Sequence, residues 1–339
     1  MQNWITQQTR KKMQSRSLIN CILLGFSYLF VSFPLQAAIY SLPDEGDYLV
    51  GNIQYIYPQS GDTLFDIARQ YDLGLNEILA ANPGIKPRLL NKKTRIILPT
   101  RFILPDAPWE GVIVNLAEMR LYYFPPAKPG EDKKVITHPI GIGRQGRSTP
   151  LGEYNILMKI ENPNWTMPEA VHTDLLSKGI KKERVVPPGP DNPLGEFAMM
   201  LNNKGLFMHG TNNPSSIGMR VSSGCLRLYP EDILNLVNAV PKGAAVRIVE
   251  QPYKLGIENG VLFLETHGKA VKNKAHSKIS LSLLDSEVIT INSIKFSATE
   301  WEKLKALSED RRGIPIPVKG TNNNIISLFI NKLKPSRLF

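Results

Sequence analysis

The chain has 339 residues and a formal net charge of +11, from 41 Lys and Arg against 30 Asp and Glu. No run of basic residues is dense enough for a nucleic-acid-binding surface, so no nucleic-acid partner is expected. A chain of this length exceeds what one small hydrophobic core organises, and we expect two or three folded units.

The N-terminal segment has the pattern of a secretory signal peptide. Its first sixteen residues carry four basic side chains and no acidic one, and a mostly apolar run follows over 18–35. Small residues end this run, so we expect residues 1–37 to be removed by cleavage after Ala37 or Ala38, leaving a periplasmic protein. The alternative is an uncleaved membrane anchor, which the polar residues within the run disfavour. Cleavage lowers the net charge from +11 to +7.

Residues 53–100 carry the pattern of a small module with two strands and two helices. Apolar residues fall at helical spacing in both predicted helices, which gives the module a buried side. The predicted elements are a strand over 54–57, a helix opened by the capping-box pair Thr63 and Asp66, a second helix opened by Asn76, and a strand over 94–98.

This segment resembles a LysM domain. The matching residues are Gly61-Asp62-Thr63-Leu64, Ile67-Ala68, Tyr71, Ile78, Asn82 and Ile97-Leu98-Pro99. The resemblance implies a small α+β module that binds the N-acetylglucosamine-containing glycan strands of peptidoglycan or chitin.

Residues 108–250 are predicted to form a mainly β domain. Short β-type runs separated by turn residues favour a sandwich or a barrel-like sheet. One main helix is expected from Pro230, since proline is favoured in the first helical turn and two acidic residues follow it. Between Glu161 and Gly195 the chain has six prolines and little strand pattern. We interpret this stretch as a lid or cleft wall.

The C-terminal part is expected to add a hairpin and a small appendage. Asn259-Gly260 is a two-residue hairpin signal within 251–277, which continues into a polar linker. Residues 278–339 are predicted to form an appendage of unknown role, with a helix opened by the capping-box pair Ser297 and Glu300.

Cys225 and His209 form the candidate catalytic pair. Cys225 lies sixteen residues after His209, and the other cysteine, Cys21, belongs to the leader, so the mature chain offers Cys225 no disulfide partner. The thiolate is the reactive form of cysteine, and an imidazole beside it would supply a base and a cationic neighbour. Gly224 lets the backbone approach a substrate, and the N–H groups around it suit an oxyanion. The pattern suggests acyl transfer through a thioester; the alternative is an inert buried cysteine.

The sequence around this pair resembles an L,D-transpeptidase catalytic domain of the ErfK/YbiS/YkuD type. The matching motifs keep their order over about 108–266 and are Ile140-Gly141-Ile142-Gly143-Arg144, Thr149-Pro150-Leu151-Gly152, Asn162-Pro163, Pro188-Gly189-Pro190-Asp191-Asn192-Pro193-Leu194-Gly195, His209-Gly210-Thr211-Asn212 and Ser222-Ser223-Gly224-Cys225-Leu226-Arg227-Leu228. The resemblance implies a YkuD-like β-sandwich or barrel with one main helix, Cys225 as the nucleophile and His209 as the base.

The resemblance also implies roles for the residues that frame the pair. Backbone groups of Gly210, Ser223 and Gly224 are expected to orient the histidine or to hold the oxyanion. Ser223 stands where the family often has a second histidine. The residues expected to contact substrate are Arg227, Thr211, Asn212 and Ser222.

The implied activity is peptidoglycan L,D-transpeptidation. Cys225 attacks the carbonyl of the third residue, diaminopimelate, in a tetrapeptide stem, D-Ala leaves, and an amine resolves the thioester. The amine belongs to another stem peptide, giving a 3–3 cross-link, or to a lysine of an outer-membrane lipoprotein. No metal or organic cofactor is implied. Two alternatives stay open: a hydrolase on the same fold, and a non-catalytic peptidoglycan-binding protein that works through its LysM module.

The remaining histidines carry no catalytic pattern. His138 and His267 lie in or at the end of strand-like runs and are expected to be surface or core residues, while His276 lies in a polar tail. His172 belongs to the predicted lid, where it either contacts substrate or has a structural role. No zinc-type spacing of His, Cys and carboxylates appears.

Overall fold

The structure is a computed structural model that describes residues 38–181, 183–203, 205–268, 290–291, 294–295 and 297–319. The predicted leader, His276 and most of the predicted appendage lie outside the described residues. In the described ranges, no helix is both long enough and apolar enough to cross a membrane.

The described chain is mainly β. In chain order the strands are β1 (Ala38–Ser41), β2 (Leu49–Gly51), β3 (Gln54–Ile56), β4 (Ile96–Leu98), β5 (Arg101–Ile103), β6 (Gly111–Asn115), β7 (Arg120–Phe124), β8 (Lys134–Pro139), β9 (Ile142–Gly143), β10 (Gly152–Glu161), β11 (Trp165–Thr166), β12 (Val185–Val186), β13 (Phe197–Leu201), β14 (Phe207–His209), β15 (Arg220–Ser222), β16 (Leu226–Arg227), β17 (Ala245–Val249), β18 (Tyr253–Glu258), β19 (Val261–Thr266), β20 (Thr290–Ile291), β21 (Ile294–Lys295) and β22 (Ile316–Lys319). The helices are α1 (Leu64–Gln70), α2 (Leu75–Ala81), α3 (Glu169–Ser177), α4 (Pro230–Ala239) and α5 (Ala298–Ser308).

A nine-stranded sheet is the framework of the larger domain, in the order β1-β8-β7-β6-β17-β10-β13-β14-β16. Neighbouring strands are antiparallel, except that β6 pairs with β17 and β14 with β16 in parallel. α4 begins at Pro230, as predicted, and covers the sheet with Ile233 and Leu236. The sheet side of this core includes Val114, Leu121 and Met208. The mainly β fold with a main helix over the sheet is therefore confirmed.

The stretch interpreted as a lid contains regular structure that the sequence pattern did not indicate. α3 follows Pro168, and β11 and β12 pair with each other on either side of it in sequence. Leu176 is 48% exposed and Ile180 just beyond the helix is 42% exposed, so α3 has little apolar periodicity. The helix over 169–177 was not predicted, and the interpretation of the stretch as a lid or cleft wall stays a prediction.

The module before the sheet has the predicted order strand, helix, helix, strand, with β3 paired to β4. The capping box that opens α1 is present: the Asp66 N–H donates to Thr63 Oγ1 at 3.3 Å, and the Thr63 N–H donates to the Asp66 carboxylate at 3.0 Å. The predicted opening of the second helix at Asn76 was wrong by two residues. Gly74 caps α2, because its N–H donates to Glu77 at 2.9 Å.

Backbone contacts join this module to the larger domain. The N–H of Leu75 donates to the carbonyl of Ile217 at 3.1 Å, and the N–H of Asn76 donates to the carbonyl of Gly218 at 3.4 Å. Gly218 has φ +76°, and a Cβ built on it would lie 2.4 Å from the nitrogen of Leu75. The approach of the two backbones therefore requires glycine at this position.

A buried guanidinium reinforces the same junction. Arg120 of β7 donates to both carboxylate oxygens of Glu77 in α2, at 3.1 and 2.8 Å, and only 1% of its side chain is exposed. It also donates to Thr137 Oγ1 and to the carbonyl of Asp72, each at 2.8 Å. The paired charges satisfy each other where water does not reach them.

The C-terminal part packs against the rest of the described chain. β18 and β19 form the predicted hairpin, whose turn residues Asn259 and Gly260 have φ +50° and +72° as a type I′ turn requires. β22 adds a third strand beside β19, and α5 begins after the predicted cap Ser297. A small apolar cluster connects this region to the module and consists of Ala81, Ile97, Ile314 and Ile316.

Candidate active site

The parallel pairing of β14 with β16 places His209 and Cys225 on neighbouring backbone segments. Met208 lies opposite Leu226 and His209 opposite Arg227. Cys225 directly precedes β16, so it lies beside the beginning of β14. The connection between the two strands is long enough for a parallel crossover, and it returns the chain to the edge of the same sheet.

His209 is held as a neutral imidazole. Its side chain lies in the core, with the residue only 3% exposed, and Nδ1 lies 2.6 Å from the carbonyl oxygen of Gly210. Because a carbonyl only accepts, Nδ1 carries the proton and Nε2 is left to accept one. Burial, followed by the charge of Arg227, lowers the pKa of His209 to about 4. The imidazole is therefore uncharged at neutral pH.

Cys225 is a partly exposed thiol. Its Sγ lies 3.4 Å from the carbonyl oxygen of Gly205, to which the thiol donates. Burial raises the pKa of Cys225, while a backbone hydrogen bond from Phe207 and the charge of Arg227 act in the opposite direction. Thiol and imidazole are thus both neutral at rest. This environment disfavours the cationic form of His209 that the sequence analysis expected beside a thiolate.

The turn before Cys225 is fixed by Ser222, which is only 2% exposed. Its Oγ donates to the carbonyl of Cys225 at 2.6 Å and accepts the N–H of Gly224 at 3.1 Å. Gly224 has φ +118°, a conformation that residues with a side chain rarely adopt. Ser222 therefore shapes the nucleophile turn, and its burial leaves little surface for the substrate contact expected of it.

Two of the backbone donors expected at the oxyanion already have acceptors. The N–H of Gly224 donates to Ser222, and the N–H of Gly210 donates to the carbonyl of Phe197 at 3.0 Å. The carbonyl of Gly210 instead orients His209. An oxyanion role stays a prediction for the backbone at Ser223 and Cys225.

Arg227 supplies the positive charge of the site. Its backbone exchanges two hydrogen bonds of 2.8 Å with Gly141, which fixes the strand end. Its Nε is buried and has no hydrogen-bond partner in the described part of the chain. Its charge lowers the pKa of both His209 and Cys225, and so favours thiolate while disfavouring imidazolium.

The other residues expected to contact substrate belong to the loop after His209. Thr211 is 3% exposed, and its Oγ1 accepts the N–H of Asn213 at 3.0 Å. Asn212 is exposed and donates to the carbonyl of Asp191 at 3.1 Å. Thr211 thus shapes the loop, while Asn212 connects it to the neighbouring loop and keeps an exposed side chain.

Two further residues of the site were not singled out from the sequence. Asn192 is fully buried, and its amide donates to the carbonyl of Pro163 at 2.7 Å, holding the base of the lid segment. Arg147 donates to the exposed Ser223 Oγ at 3.3 Å, beside the nucleophile turn. Asn192 lies in the proline-rich motif, but nothing in its spacing indicates burial.

The remaining histidines lie away from the catalytic pair. His172 is half-buried on α3, with Nδ1 3.9 Å from Glu169. His138 and His267 each belong to a buried group with two carboxylates that lie close enough together to hold a metal ion. The groups are Asp72, His138 and Asp232, and Glu118, Glu265 and His267.

In the second group, a lysine ammonium lies beside the two carboxylates, where a metal ion would otherwise bind. Lys254 Nζ lies 2.7 Å from Glu118 and 2.8 Å from Glu265, and His267 Nε2 lies 2.6 Å from Glu265. The two carboxylates are therefore paired by side chains of the protein itself.

Comparison with known proteins identifies both domains. The family model of the L,D-transpeptidase catalytic domain, YkuD, matches residues 110–248, and that of the LysM domain matches residues 59–99. The probable L,D-transpeptidase YcfS of Escherichia coli is 36% identical over 300 residues, covering 85% of this chain and 91% of that protein. The probable L,D-transpeptidase YbiS of the same species is 40% identical over 239 residues, covering 68% and 76%.

Solved L,D-transpeptidase structures are also similar to part of the chain. L,D-transpeptidase 3 from Mycobacterium tuberculosis matches with 21% identity and a TM-score of 0.31, over 46% of this chain and 68% of that one. The catalytic domain from Enterococcus faecium matches with 19% identity and a TM-score of 0.32, over 42% and 99%. The relatives of 36–40% identity carry the assignment: this chain belongs to the YkuD-type L,D-transpeptidase family, with a LysM domain before its catalytic domain.

Proposed function

We propose that the protein is an exported peptidoglycan L,D-transpeptidase that works through a Cys225 thioester. The observation that supports the proposal is the parallel β14–β16 pairing, which runs the strand ending at His209 alongside the strand that begins directly after Cys225. His209 is neutral there and Cys225 is partly exposed. A non-catalytic wall-binding protein would need neither group, and this pair argues against that alternative.

In the acylation step, Cys225 Sγ attacks the carbonyl that joins the L-centre of diaminopimelate to the terminal D-Ala. His209 Nε2 takes the thiol proton as the C–S bond forms, since Nδ1 is bound to the Gly210 carbonyl. The oxyanion is held by backbone N–H groups near Ser223 and Cys225. The C–N bond then breaks, the proton on His209 passes to the leaving amine, and D-Ala departs.

In the second step an amine attacks the thioester. A histidine that is neutral at pH 7 accepts the proton of this amine and returns it to the departing sulfur. An amine of another diaminopimelate gives a 3–3 cross-link, a lipoprotein lysine gives an attachment to the wall, and water gives hydrolysis. His209 and the substrates carry every proton of this scheme, so it calls for no cofactor.

The LysM domain is proposed to hold the enzyme on glycan strands. Two of its large apolar residues are strongly exposed on loops, Tyr57 at 63% and Leu89 at 75%, as suits contact with sugar rings. Deletion of residues 38–100 is a poor test of this role, because it removes β1 and leaves Arg120 without Glu77. The double variant Tyr57→Ala/Leu89→Glu should reduce co-sedimentation with sacculi. Leu157→Glu, at a residue 47% exposed on β10, is the matched control.

The deciding experiment incubates the purified protein with defined tetrapeptide muropeptides and identifies products by mass. Loss of D-Ala with appearance of a dimer indicates transfer, and loss of D-Ala with a free tripeptide indicates hydrolysis. Cys225→Ala should form neither product. Equal turnover by Cys225→Ala, or no turnover by the wild-type protein on any stem peptide, would contradict the proposal.

A further inference from the structure

The buried group of Asp72, His138 and Asp232 is not used by the proposed reaction. Its members come from three places: Asp72 follows α1 of the LysM domain, His138 lies in β8, and Asp232 lies in the first turn of α4. His138 Nδ1 lies 3.1 Å from Asp232 and 3.5 Å from Asp72. The group therefore connects the LysM domain with both the sheet and the main helix of the catalytic domain.

When both carboxyl groups are ionised, this group carries an excess of negative charge. Although burial opposes it, the carboxylates of Asp232 and Asp72 raise the pKa of His138 to about 10, so the imidazole is cationic. One cation then faces two carboxylates. Burial and the charge of Asp72 raise the pKa of Asp232 to about 7, as expected for a carboxylate whose charge is not fully compensated. Oδ1 of Asp72 and Oδ2 of Asp232 are buried without a hydrogen-bond partner in the described residues.

The nearest other cations, Arg120 and Arg69, are paired elsewhere, although the charge of Arg120 also lowers the pKa of Asp72. The guanidinium of Arg120 and the carboxylate of Glu77 compensate each other at 2.8 Å, and Arg69 is paired with Glu231 at 2.9 Å. In the comparable group around Glu118 and Glu265, the primary ammonium of Lys254 lies within 2.8 Å of both carboxylates. Among the residues that the structure describes, no lysine is paired with Asp72.

The nitrogen of Ala38 does reach Asp72. It donates to Asp72 Oδ2 at 3.2 Å, and β1 is held in place by pairing with β8, where Ala38 lies opposite Thr137. Ala38 is also the first residue after Ala37, one of the two predicted cleavage positions. Cleavage there would turn this nitrogen into a primary amine.

We propose that the Asp72–Asp232 group is a binding site for the α-ammonium group of Ala38, which forms when the leader is removed. A signal peptidase adds water across the Ala37–Ala38 peptide bond, giving a carboxylate on Ala37 and an ammonium on Ala38. The ammonium has three N–H donors where the amide has one, and its charge brings the group of two carboxylates and one imidazolium to neutrality. This inference rests on the proposed export.

Because of this site, the stability of the junction between the LysM and catalytic domains depends on removal of the leader. The precursor presents an amide to Asp72, whereas the mature chain presents a cation. The other titratable or charged groups that interact with Asp72 are Tyr40 on β1, Arg120 on β7 and Tyr229, which directly precedes α4 and also interacts with Asp232. An ammonium stabilised there has its pKa raised above the free value of about 7.7–8.0. Its contribution is fully present below that value and is lost as the pH rises through the folded-state pKa.

The test compares two full-length mature chains, one beginning at Ala38 and one retaining Gln36-Ala37 before it. Both are released from a cleavable fusion, and their unfolding by urea is measured at pH 7. The retained dipeptide should increase the unfolding equilibrium constant roughly tenfold, which corresponds to a difference of about one pKa unit for a single group. In Asp72→Asn the two chains should be equally stable. In the matched control Asp132→Asn, at an exposed residue, the tenfold difference should persist.

A second measurement covers the case that Asp72→Asn does not fold. The rate of α-amine acylation of the wild-type chain, followed against pH, should give a pKa above the ordinary 7.7–8.0. Equal stability of the two wild-type chains, an ordinary amine pKa, or cleavage of the exported chain elsewhere than after Ala37 would overturn the proposal. The proposal would also be overturned if added Zn²⁺ stabilised both chains equally and a chelator reversed that stabilisation. Muropeptide turnover, measured separately on both chains, reports on the proposed function alone.

Discussion

The pH dependence of Cys225 reactivity distinguishes a neutral thiol–imidazole pair from a preformed thiolate–imidazolium pair. With a pKa of about 4, roughly one His209 in a thousand is protonated at pH 7. Burial raises the pKa of Cys225 above its usual range. A cysteine of ordinary pKa, about 8.5, is ~0.3% thiolate at pH 6, so Cys225 should be ionised to an even smaller extent. Proton transfer should therefore accompany attack on the substrate.

The assay is the rate of Cys225 alkylation by iodoacetamide between pH 5 and 10, together with kcat/KM on a soluble muropeptide. The mature chain has one cysteine, so alkylation reports on Cys225 alone. We expect a single rise in alkylation above the ordinary cysteine range, and an acid limb of kcat/KM near pH 4. Arg227→Gln should raise both pKa values, because the charge of Arg227 lowers both. Arg220→Gln, at a residue that contributes to neither pKa, is the control.

An alkylation plateau between pH 5 and 7, or an acid limb near the ordinary histidine value of about 6.5, would refute a neutral resting pair. Circular dichroism at each pH establishes that the chain is still folded. Asp232, whose pKa is about 7, lies in another buried group, so its titration should change stability without changing alkylation.

Three further predictions concern the proposed nucleophile and the junction between the two domains. A carbapenem should add one mass adduct, located on Cys225 and absent in Cys225→Ala; an adduct on a serine would contradict the nucleophile assignment. Glu77→Ala should lower the free energy of unfolding in urea by about 3–5 kcal/mol, because it leaves the buried guanidinium of Arg120 unpaired. A loss below ~1 kcal/mol would mean that water reaches that charge. Gly218→Ala should destabilise the domain junction, since its Cβ would overlap the backbone at Leu75, and faster proteolysis of the LysM domain is the expected readout.

The features that the sequence predicted well are local. The Thr63–Asp66 capping box, the helix at Pro230 and the Asn259-Gly260 turn each depend on a few neighbouring residues, and the structure contains all three. Gly74 was missed as a helix cap because its side chain has no hydrogen-bonding atom, and the cap is made by Glu77 from inside the helix. α3 was missed because its apolar residues do not fall on one face that is buried.

The features that the sequence could not supply are long-range. Cys225 and His209 were paired through motif resemblance, and their actual neighbourhood depends on a parallel strand pair that no local pattern specifies. The direction of the His209 pKa depends on burial and on Arg227, neither of which the motif reveals. The pairing of β1 with β8 joins segments about a hundred residues apart, so a strand directly after the leader gave no signal of its position.

The bonding of α2 to the loop after His209 has a consequence for how the enzyme acts on a polymer. Because Leu75 and Asn76 are hydrogen-bonded to Ile217 and Gly218, we expect the LysM domain to move together with the domain that carries Cys225. On the proposed function, a sugar bound to the LysM domain would then lie at a constant distance from the carbonyl that Cys225 attacks. A glycan strand carries its stem peptides at regular intervals and rotations. We therefore expect the enzyme to act only on stem peptides that lie at a matching distance from the bound sugar.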